Sequence, residues 1–331
     1  MEVKEETPRI VLTENKIIEV SPLSLTSDLK YFKKKFQIVV VRKEGYEMEF
    51  DLIGIHPFLV NTFRRLILSD VPSMAIEKVH VINNTSIMQD EVLAHRLGLI
   101  PLKADPRLFE HKTDASASNN GNDTLEFELK IKCTNSKDSS KKDSSRAEDI
   151  YKNSNVYSKH LKWVPIGNQR TRFKESDVGP IHPDILIMKL RPGHELDLKL
   201  FAVKSNGKDH AKFSPVATAF YRLLPHIEIV RPVEDEDAYR LQKCFSAGVI
   251  GVRQEGNRKF AVVNDPRCDT SSRNVYRYDD LKDSVVMSKV QDHFIFTIES
   301  VGALQPEDIF KEAIYILKNK CMSLLDELNS Q

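Results

Sequence analysis

The sequence has 331 residues, of which 40% are hydrophobic and 29% are charged, and its basic and acidic residues nearly balance to leave a net charge of +1. This length is sufficient for two domains with their own hydrophobic cores, and the composition is typical of a globular protein. The small net charge excludes a strong overall attraction to nucleic acid or to an acidic membrane surface, so any such attraction has to be local.

The N-terminal stretch and the length of the apolar runs predict an intracellular protein. The first ten residues, MEVKEETPRI, are charged where a secretory signal peptide would be apolar. No uninterrupted apolar run approaches the roughly 20 residues that span a bilayer. We therefore expect no association with a membrane.

Residues 36–52 predict a β-hairpin. An apolar run at 36–41 is followed by a turn at 43–45, and residues 46–52 then alternate between apolar and acidic side chains. This alternation is typical of a strand with one buried and one solvated face.

Two helices are predicted after the hairpin. The first begins near Pro57, a residue suited to a first helical turn, and runs to about Ser69. The second opens at Asp90, which we expect to cap it, and ends at Gly98. One face of the first helix carries four apolar side chains at helical spacing, namely Leu59, Phe63, Leu66 and Ile67.

The middle of the chain is predicted to be mainly β. Residues 111–123 and 134–149 are rich in Ser, Asn, Asp and Lys, which is typical of loops. Between them, residues 125–133 alternate between apolar and charged side chains and predict a half-buried strand. Residues 185–190 and 195–203 predict a second hairpin around an Arg-Pro-Gly turn.

The last predicted helix begins at Pro306 and extends for about six turns. Glu307 and Asp308 in its first turn complement the helix dipole. Its apolar stripe alone is compatible with a helix that only covers its own sheet. Further apolar residues beside the stripe broaden the arc, so we expect a second contact, with another chain. The stripe consists of Phe310, Ile314, Leu317, Cys321, Leu324 and Leu328.

The cysteines predict reduced, structural thiols. Cys133, Cys244, Cys268 and Cys321 are far apart, and no two stand at the short spacing of a zinc knuckle or a redox pair. Cys321 falls on the apolar stripe of the last helix, where a thiol behaves as a small hydrophobic group.

No pattern in the sequence predicts catalysis. Residues 205–212, SNGKDHAK, contain a Gly-Lys pair but lack the first glycine and the following Ser or Thr of a phosphate-binding loop. Glu91 and His95 share a helix face, yet a zinc site needs three or four ligands. Ser214 follows His210 without a nucleophile-elbow motif or an orienting carboxylate.

Nucleic-acid binding is likewise not predicted. The basic residues at 33–35 and 170–174 form short runs, and no aromatic stacking platform alternates with them. The apolar helix faces and the adjacent arginines Arg64 and Arg65 are instead typical of an assembly subunit.

A family resemblance is carried by residues 61–76, NTFRRLILSDVPSMAI, and 83–103, NNTSIMQDEVLAHRLGLIPLK. Together they resemble the alpha motif of the alpha-like RNA polymerase subunits, which include bacterial alpha, archaeal D and the eukaryotic third-largest type. The similarity covers nearly the whole chain and continues in the same order through residues 184–198, 207–225, 245–252 and 293–310.

Within this family, the RNA polymerase II subunit and many archaeal members carry cysteines for zinc or an iron–sulfur cluster after the LGLIPL segment. Residues 103–123 contain no cysteine here. In this absence, and in the segments KCT at 132–134 and VYSKHLKW at 156–163, the chain resembles the alpha-like subunit shared by RNA polymerases I and III. The resemblance therefore implies no metal and no other cofactor.

The resemblance implies an α+β fold with a discontinuous dimerisation domain, in which two helices lie on one face of a small antiparallel sheet. The domain is expected in residues 1–88 and 224–331, with a mainly β domain inserted at 89–223. The implied function is a non-catalytic assembly scaffold in the nucleus, including the nucleolus. The implied partners are a smaller alpha-like subunit, the second-largest, beta-like subunits and small zinc-binding polymerase subunits, without direct DNA contact.

Two interfaces follow from this resemblance. The beta-like subunit is expected to contact Arg64, Arg65, Lys208, His210 and Lys212. A guanidinium group can donate two parallel hydrogen bonds to carboxylate or carbonyl oxygens, which suits the two arginines to such a contact. We also expect Phe310, Ile314 and Leu317 to face water in the isolated chain. The predicted dimer interface consists of Leu59, Phe63, Leu66, Ile67, Phe310, Ile314, Leu317, Cys321 and Leu324.

Two other hypotheses remain open. One is a free-standing transcription regulator with the same dimer fold, which should carry a dense basic stripe or a separate C-terminal module. The net charge of +1 leads us to expect no dense basic stripe, and the position of the last helix leads us to expect no separate C-terminal module. The other is a hydrolase centred on Glu91, His95 and His210.

Overall fold

The fold is α+β, with mostly antiparallel sheets. The predicted loops at 111–123 and 134–149 lie largely outside the part of the chain that is described. No helix in the described part is long and apolar enough to cross a membrane. The computed structural model describes residues 9–19, 29–112, 120–135 and 150–330.

The helices confirm the three predicted positions. The described residues form six α-helices: α1 (Leu29–Lys35), α2 (Pro57–Ser69), α3 (Asp90–Gly98), α4 (Gln169–Arg172), α5 (Asp235–Cys244) and α6 (Pro306–Asn329). The prediction that Asp90 caps its helix is wrong, because Gln89 occupies the cap position and makes no side-chain cap hydrogen bond. Asp90 is the first helical residue, where its carboxylate accepts a hydrogen bond from Asn84 at 2.6 Å.

The strands carry most of the sheet structure in the middle and at both ends of the chain. In chain order they are β1 (Arg9–Leu12), β2 (Ile17–Glu19), β3 (Gln37–Glu44), β4 (Glu47–Ile53), β5 (Ser73–Asn84), β6 (Leu102–Lys103), β7 (Thr124–Lys132), β8 (Thr134–Asn135), β9 (Tyr151–Lys152), β10 (Asn155–Tyr157), β11 (Lys162–Val164), β12 (Gly179–Pro180), β13 (Leu186–Lys189), β14 (Glu195–Ser205), β15 (Val216–Ile229), β16 (Ile250–Glu255), β17 (Arg258–Val263) and β18 (Val285–Ser300). The first predicted hairpin corresponds to β3 and β4, which are adjacent in one sheet.

The chain forms two compact units, each discontinuous in sequence. The first unit contains residues 1–44, 48–64 and 220–297. Its six-stranded sheet has the order β2-β1-β18-β4-β3, and β15 also pairs with β18. The stacked rings of Phe50 on β4 and Phe296 on β18 lie 5.3 Å apart in its interior.

The second unit contains residues 45–47, 65–219 and 298–331. Its main sheet has the order β11-β7-β14-β5. The alternation predicted for residues 125–133 is confirmed, because the apolar side chains of β7 are buried and its charged side chains face outward. Leu93 and Leu97 on α3 belong to the same hydrophobic core as the buried face of this sheet.

The second predicted hairpin is wrong in its pairing, although both of its strands form. β14 pairs with β7 along one edge and with β5 along the other, and both ladders are antiparallel. Because both edges of β14 are therefore occupied, β13 pairs with β10 instead.

The two compact units do not coincide with the predicted domains. Strand β5 lies within the predicted N-terminal segment 1–88 but pairs with β14 of the predicted inserted domain. Helix α6 belongs to the second unit. The predicted boundaries after residues 88 and 223, and the inserted domain itself, stay a prediction.

Candidate partner interface

Helix α2 uses part of its predicted interface for the chain's own core. Leu66 and Ile67 are buried, whereas Leu59 and Phe63 are only half-buried. Only the latter two therefore retain surface that a second chain could cover.

Helix α6 divides into an anchored first half and an exposed second half. The expectation that Phe310 faces water is wrong, because it is 7% exposed and lies beside the buried residues Ile309 and Ala313. Ile314 is 41% exposed and Leu317 is half-buried. From Lys318 to Ser330 every residue is exposed, and Leu324 retains 60% of its surface.

An open groove follows one side of α6. It has a volume of about 540 Å³ and is lined by Ile316, Asn319, Lys320, Ser323 and Leu324. These positions recur every three or four residues, so they share one face of the helix. The face combines apolar contact area with the single ammonium group of Lys320.

Strand β3 presents a second exposed apolar surface, which the sequence interpretation missed. All eight of its residues are exposed, including the consecutive residues Ile38 to Val41. The strand lies at the end of the strand order of the first unit's sheet. A signal was present, because successive side chains of a strand point to opposite faces and four apolar residues in a row cannot share one buried face.

The two adjacent arginines of α2 have different surroundings. Nε and Nη2 of Arg64 both donate to Oδ1 of Asn61, one turn earlier, at 3.2 and 3.0 Å. Arg65 is exposed, and within the described residues its guanidinium makes no hydrogen bond or ion pair. Arg65 is therefore the one of the two that is ready to receive a partner's carboxylate or carbonyl.

Residues 205–213, here called the lysine loop, lie against the C-terminal end of α2. A Cβ atom on Gly207 would stand 2.3 Å from the carbonyl oxygen of Leu68, so only glycine allows this approach. The backbone N–H of Lys208 donates to the carbonyl oxygen of Ser69 at 3.2 Å. The loop is thus seated by backbone contacts on α2.

The other two predicted contact residues of the lysine loop differ in accessibility. Nζ of Lys212 donates to the carbonyl oxygen of Ile76 at 3.0 Å and pairs with Glu77, and its side chain is only 13% exposed. Lys212 is therefore engaged within its own chain. His210 is exposed, and its Nδ1 accepts from the N–H of Lys212 at 3.1 Å.

The residues of the hydrolase hypothesis come only partly together. The imidazole rings of His95 and His210 lie 6.4 Å apart, edge to face. Within the described residues, no side-chain hydrogen bond joins either ring to Glu91.

Asp70, directly after α2, was also missed from the sequence. Its Oδ1 accepts from Nζ of Lys208 at 2.8 Å and from Nζ of Lys320, and its Oδ2 accepts from Ser69 at 2.5 Å. Burial opposes ionisation, but these hydrogen bonds outweigh it and lower the pKa of Asp70 to about 2. No sequence signal could have found this cluster, because Asp70 and Lys320 are 250 positions apart.

A second ion network lies inside the first unit. Arg267 donates to Asp51 at 2.8 and 3.0 Å and to Glu49 at 2.7 Å, and His293 lies 2.9 Å from Asp51. Burial acts to raise the pKa of Asp51, but the bonds from Arg267 and His293 prevail and lower it. The acidic face predicted for β4 is therefore not simply solvated, because Arg267 bonds to two of its carboxylates.

The four thiols are free. Cys133 and Cys244 are buried, whereas Cys268 and Cys321 are exposed. Burial raises the pKa values of Cys133 and Cys244, which makes these two thiols less reactive. In the described ranges, no group of three or more His, Cys, Asp or Glu side chains could hold a metal ion.

Comparison with known proteins gives consistent matches over most of the chain. Residues 49–321 match the family model of the RNA polymerase Rpb3/Rpb11 dimerisation domain. The chain is 51% identical over 303 residues to DNA-directed RNA polymerases I and III subunit RPAC1 from Bos taurus, covering 92% of this chain and 87% of the relative. The subunit of the same name from Saccharomyces cerevisiae is 46% identical over 296 residues, covering 88% of each chain. An archaeal relative, DNA-directed RNA polymerase subunit Rpo3 of Methanosphaera stadtmanae, is 30% identical over 297 residues, covering 89% of this chain and 99% of the relative.

Proposed function

Because this chain belongs to the RNA polymerase Rpb3/Rpb11 dimerisation-domain family, we propose that it is a non-catalytic assembly subunit of DNA-directed RNA polymerases I and III. The names of its relatives in cattle and yeast support the assignment to these two polymerases. Its place of action is then the nucleus, including the nucleolus. It contributes protein surfaces to assembly and neither a cofactor nor a DNA contact.

The first proposed surface takes a smaller alpha-like subunit, with which the chain forms a heterodimer. The single observation that carries this proposal is the exposed second half of α6, whose apolar residues have no cover within the described chain. An obligate interface typically buries about 2,000 Å² or more. At about 25 cal/mol per Å² of apolar area, such burial is a strong drive for association. The α6 residues Ile314, Leu317, Cys321 and Leu324 contribute their remaining exposed surface. Leu59 and Phe63 of α2 stay predicted contacts of the same subunit.

The second proposed surface docks the second-largest, beta-like subunit. Arg65 and His210 make the direct contacts, because both are exposed and the guanidinium of Arg65 is unpaired in the described chain. Arg64, Lys208 and Lys212 support this surface through their bonds to Asn61, Asp70 and the carbonyl of Ile76. Small zinc-binding polymerase subunits are the remaining proposed partners.

The heterodimer is tested by placing charge on the exposed face of α6. The chain carrying Leu324→Asp and Leu328→Asp is co-expressed with an affinity-tagged small alpha-like subunit. We expect loss of co-purification, because two carboxylates would have to be desolvated in an apolar contact. The far-UV circular dichroism of the variant should match that of the wild type, since both leucines are exposed in the chain itself.

Met322→Asp is the matched control. Met322 is also apolar and about half exposed, but it lies about 200° around the helix from Leu324. It should leave co-purification intact. Two results would contradict the assigned face. One is co-purification of the variant with both leucines replaced, and the other is loss of co-purification with Met322→Asp alone.

A further inference from the structure

One carboxylate joins two segments that the proposed function assigns to different partners. Oδ1 of Asp70 accepts from Lys208 of the lysine loop and from Lys320 of α6. The Asp70 side chain is only 10% exposed, whereas both lysines keep about half of their surface. Both ammonium groups approach the same oxygen, whose negative charge offsets the repulsion between them.

The lysine loop has little freedom to move independently of Asp70. Gly207 lies against the carbonyl of Leu68, and the N–H of Lys208 bonds to Ser69, the residue before Asp70. A displacement of Asp70 therefore acts on the loop both through the backbone of α2 and through the ammonium group of Lys208.

Lys320 also lines the open groove on α6, together with Ile316 and Leu324. A chain that fills this groove removes water from the surroundings of Lys320. Because the attraction between opposite charges increases as the local dielectric falls, this strengthens the contact between Lys320 and Asp70. A carboxylate fixed by Lys320 presents its Oδ1 to Lys208 in one orientation, so the position of the Lys208 ammonium group becomes more defined.

Without the carboxylate, the cations in this region would repel one another. Lys208, Lys320 and Arg65 are all positively charged, and Arg65 lies near enough to act on Lys208 electrostatically. Removal of the charge of Asp70 should therefore release the lysine loop from α6 and leave it more mobile.

We infer that Asp70 is a positioning residue that couples the two proposed docking surfaces, so that a small alpha-like subunit in the groove of α6 orders the lysine loop for the beta-like subunit. This inference rests on the proposed function. Since coupling between two binding sites is reciprocal, the beta-like subunit should also strengthen binding of the small subunit.

The coupling is tested in the complex by comparing wild type with Asp70→Asn and Lys320→Gln. We measure the affinity of the beta-like subunit for the chain with and without the small subunit bound. In wild type the small subunit should increase this affinity about fivefold or more. In either variant the increase should fall toward one. Asp70→Asn should change the affinity of the small subunit alone by less than about twofold, because Asp70 does not line the groove of α6. The variant with both changes should lose no more of this increase than Asp70→Asn alone, because both changes remove the same contact between Asp70 and Lys320.

Hydrogen exchange provides a second readout. In the heterodimer, the amides of the lysine loop should exchange faster in both variants than in wild type. Asp184→Asn removes an exposed carboxylate that makes no side-chain hydrogen bond or ion pair within the described chain, and it should behave as wild type in both measurements. Lys320→Gln guards against misfolding, because Lys320 is about half exposed.

The outcomes separate the two proposals. A wild-type chain that binds neither subunit would refute the proposed function and this inference with it. A wild-type chain that binds both, with the same coupling and loop exchange in both variants, would refute the inference alone. Asp70→Asn could also weaken the binding of both partners equally while Lys320→Gln has no effect. This result would make Asp70 a structural residue and would also overturn the coupling.

Discussion

At the scale of single residues, charge at a few partly buried positions decides local geometry. Arg267 holds two strand carboxylates in the first unit, and Asp70 holds two lysines in the second. A partly buried carboxylate in such a place is stable only while its cations remain. Both groups of charges therefore make stability dependent on pH.

The first prediction concerns acid unfolding. The pKa of Asp70 is lowered from 3.8 to about 2 in the folded protein, so its contribution is complete above the unfolded pKa and is lost as the pH falls toward 2. Asp70→Asn should reduce the free energy of unfolding at pH 6 by about 1 kcal/mol, a modest value because both lysines are half exposed. The wild-type and variant values should converge near pH 2.

Urea denaturation followed by tryptophan fluorescence can measure this difference. Trp163 is the single tryptophan and lies in β11, within the same compact unit as Asp70. A difference between the two proteins that stays constant from pH 6 to pH 2 would show that ionisation of Asp70 is not its source.

The second prediction concerns the lysine loop. Gly207→Ala should lower the free energy of unfolding by about 1–3 kcal/mol, because the new Cβ would overlap the carbonyl oxygen of Leu68. The control is Gly256→Ala, where the φ angle is +64° but the space is open. That variant carries only backbone strain of about 1 kcal/mol. Equal losses in the two variants would argue against the close approach at Gly207.

At the scale of elements, the helices combine an inner and an outer role. In α2, buried Leu66 and Ile67 support the core while the neighbouring Arg65 is exposed. In α6, the first turns are buried through Ile309, Phe310 and Ala313, and the later turns are exposed. Each helix can thus be stable in its own chain and still present surface to another.

The third prediction follows from the division of α2. Arg65→Ala should weaken retention of the beta-like subunit, because truncating one member of a desolvated charge contact costs about 2–5 kcal/mol. Arg64→Ala should have a smaller effect, since the Arg64 guanidinium is already bonded to Asn61. Pull-downs with each partner separately are the measurement. The variant with both Arg64→Ala and Arg65→Ala should still bind the small alpha-like subunit largely as wild type does. Loss of the small subunit with retention of the beta-like subunit would contradict the two assigned faces.

At the scale of the whole molecule, the exposed apolar surfaces predict a chain that needs partners. The second half of α6 and strand β3 both present apolar side chains to solvent within the described residues. Surfaces of this kind are typical of interaction sites and are prone to aggregate when uncovered.

The fourth prediction is that the chain expressed alone self-associates. Its molar mass in solution, measured by light scattering during size-exclusion chromatography, should exceed the 37.9 kDa of the monomer. Co-expression with the small alpha-like subunit should give a discrete complex of defined mass instead. A stable, monodisperse monomer would count against both exposed surfaces as interfaces.

The sequence by itself determined the elements whose signals are local. Prolines and helical spacing predicted α2 and α6, and alternation predicted β4 and β7. These features depend on backbone geometry and on side chains a few residues apart, so a short window contains them. The resemblance of residues 61–76 and 83–103 to alpha-like subunits likewise needed no coordinates, and the family match confirmed it.

Only the tertiary structure decided which distant segments meet. It paired β14 with β5 and β7 rather than with β13, buried Phe310, and placed Lys320 of α6 on Asp70. Strand pairing and ion pairing depend on contacts between residues that are far apart in sequence, where no periodicity links them. The apolar stripe of α6 could therefore be predicted from spacing, whereas the point at which that stripe leaves the core and becomes available to a partner could not.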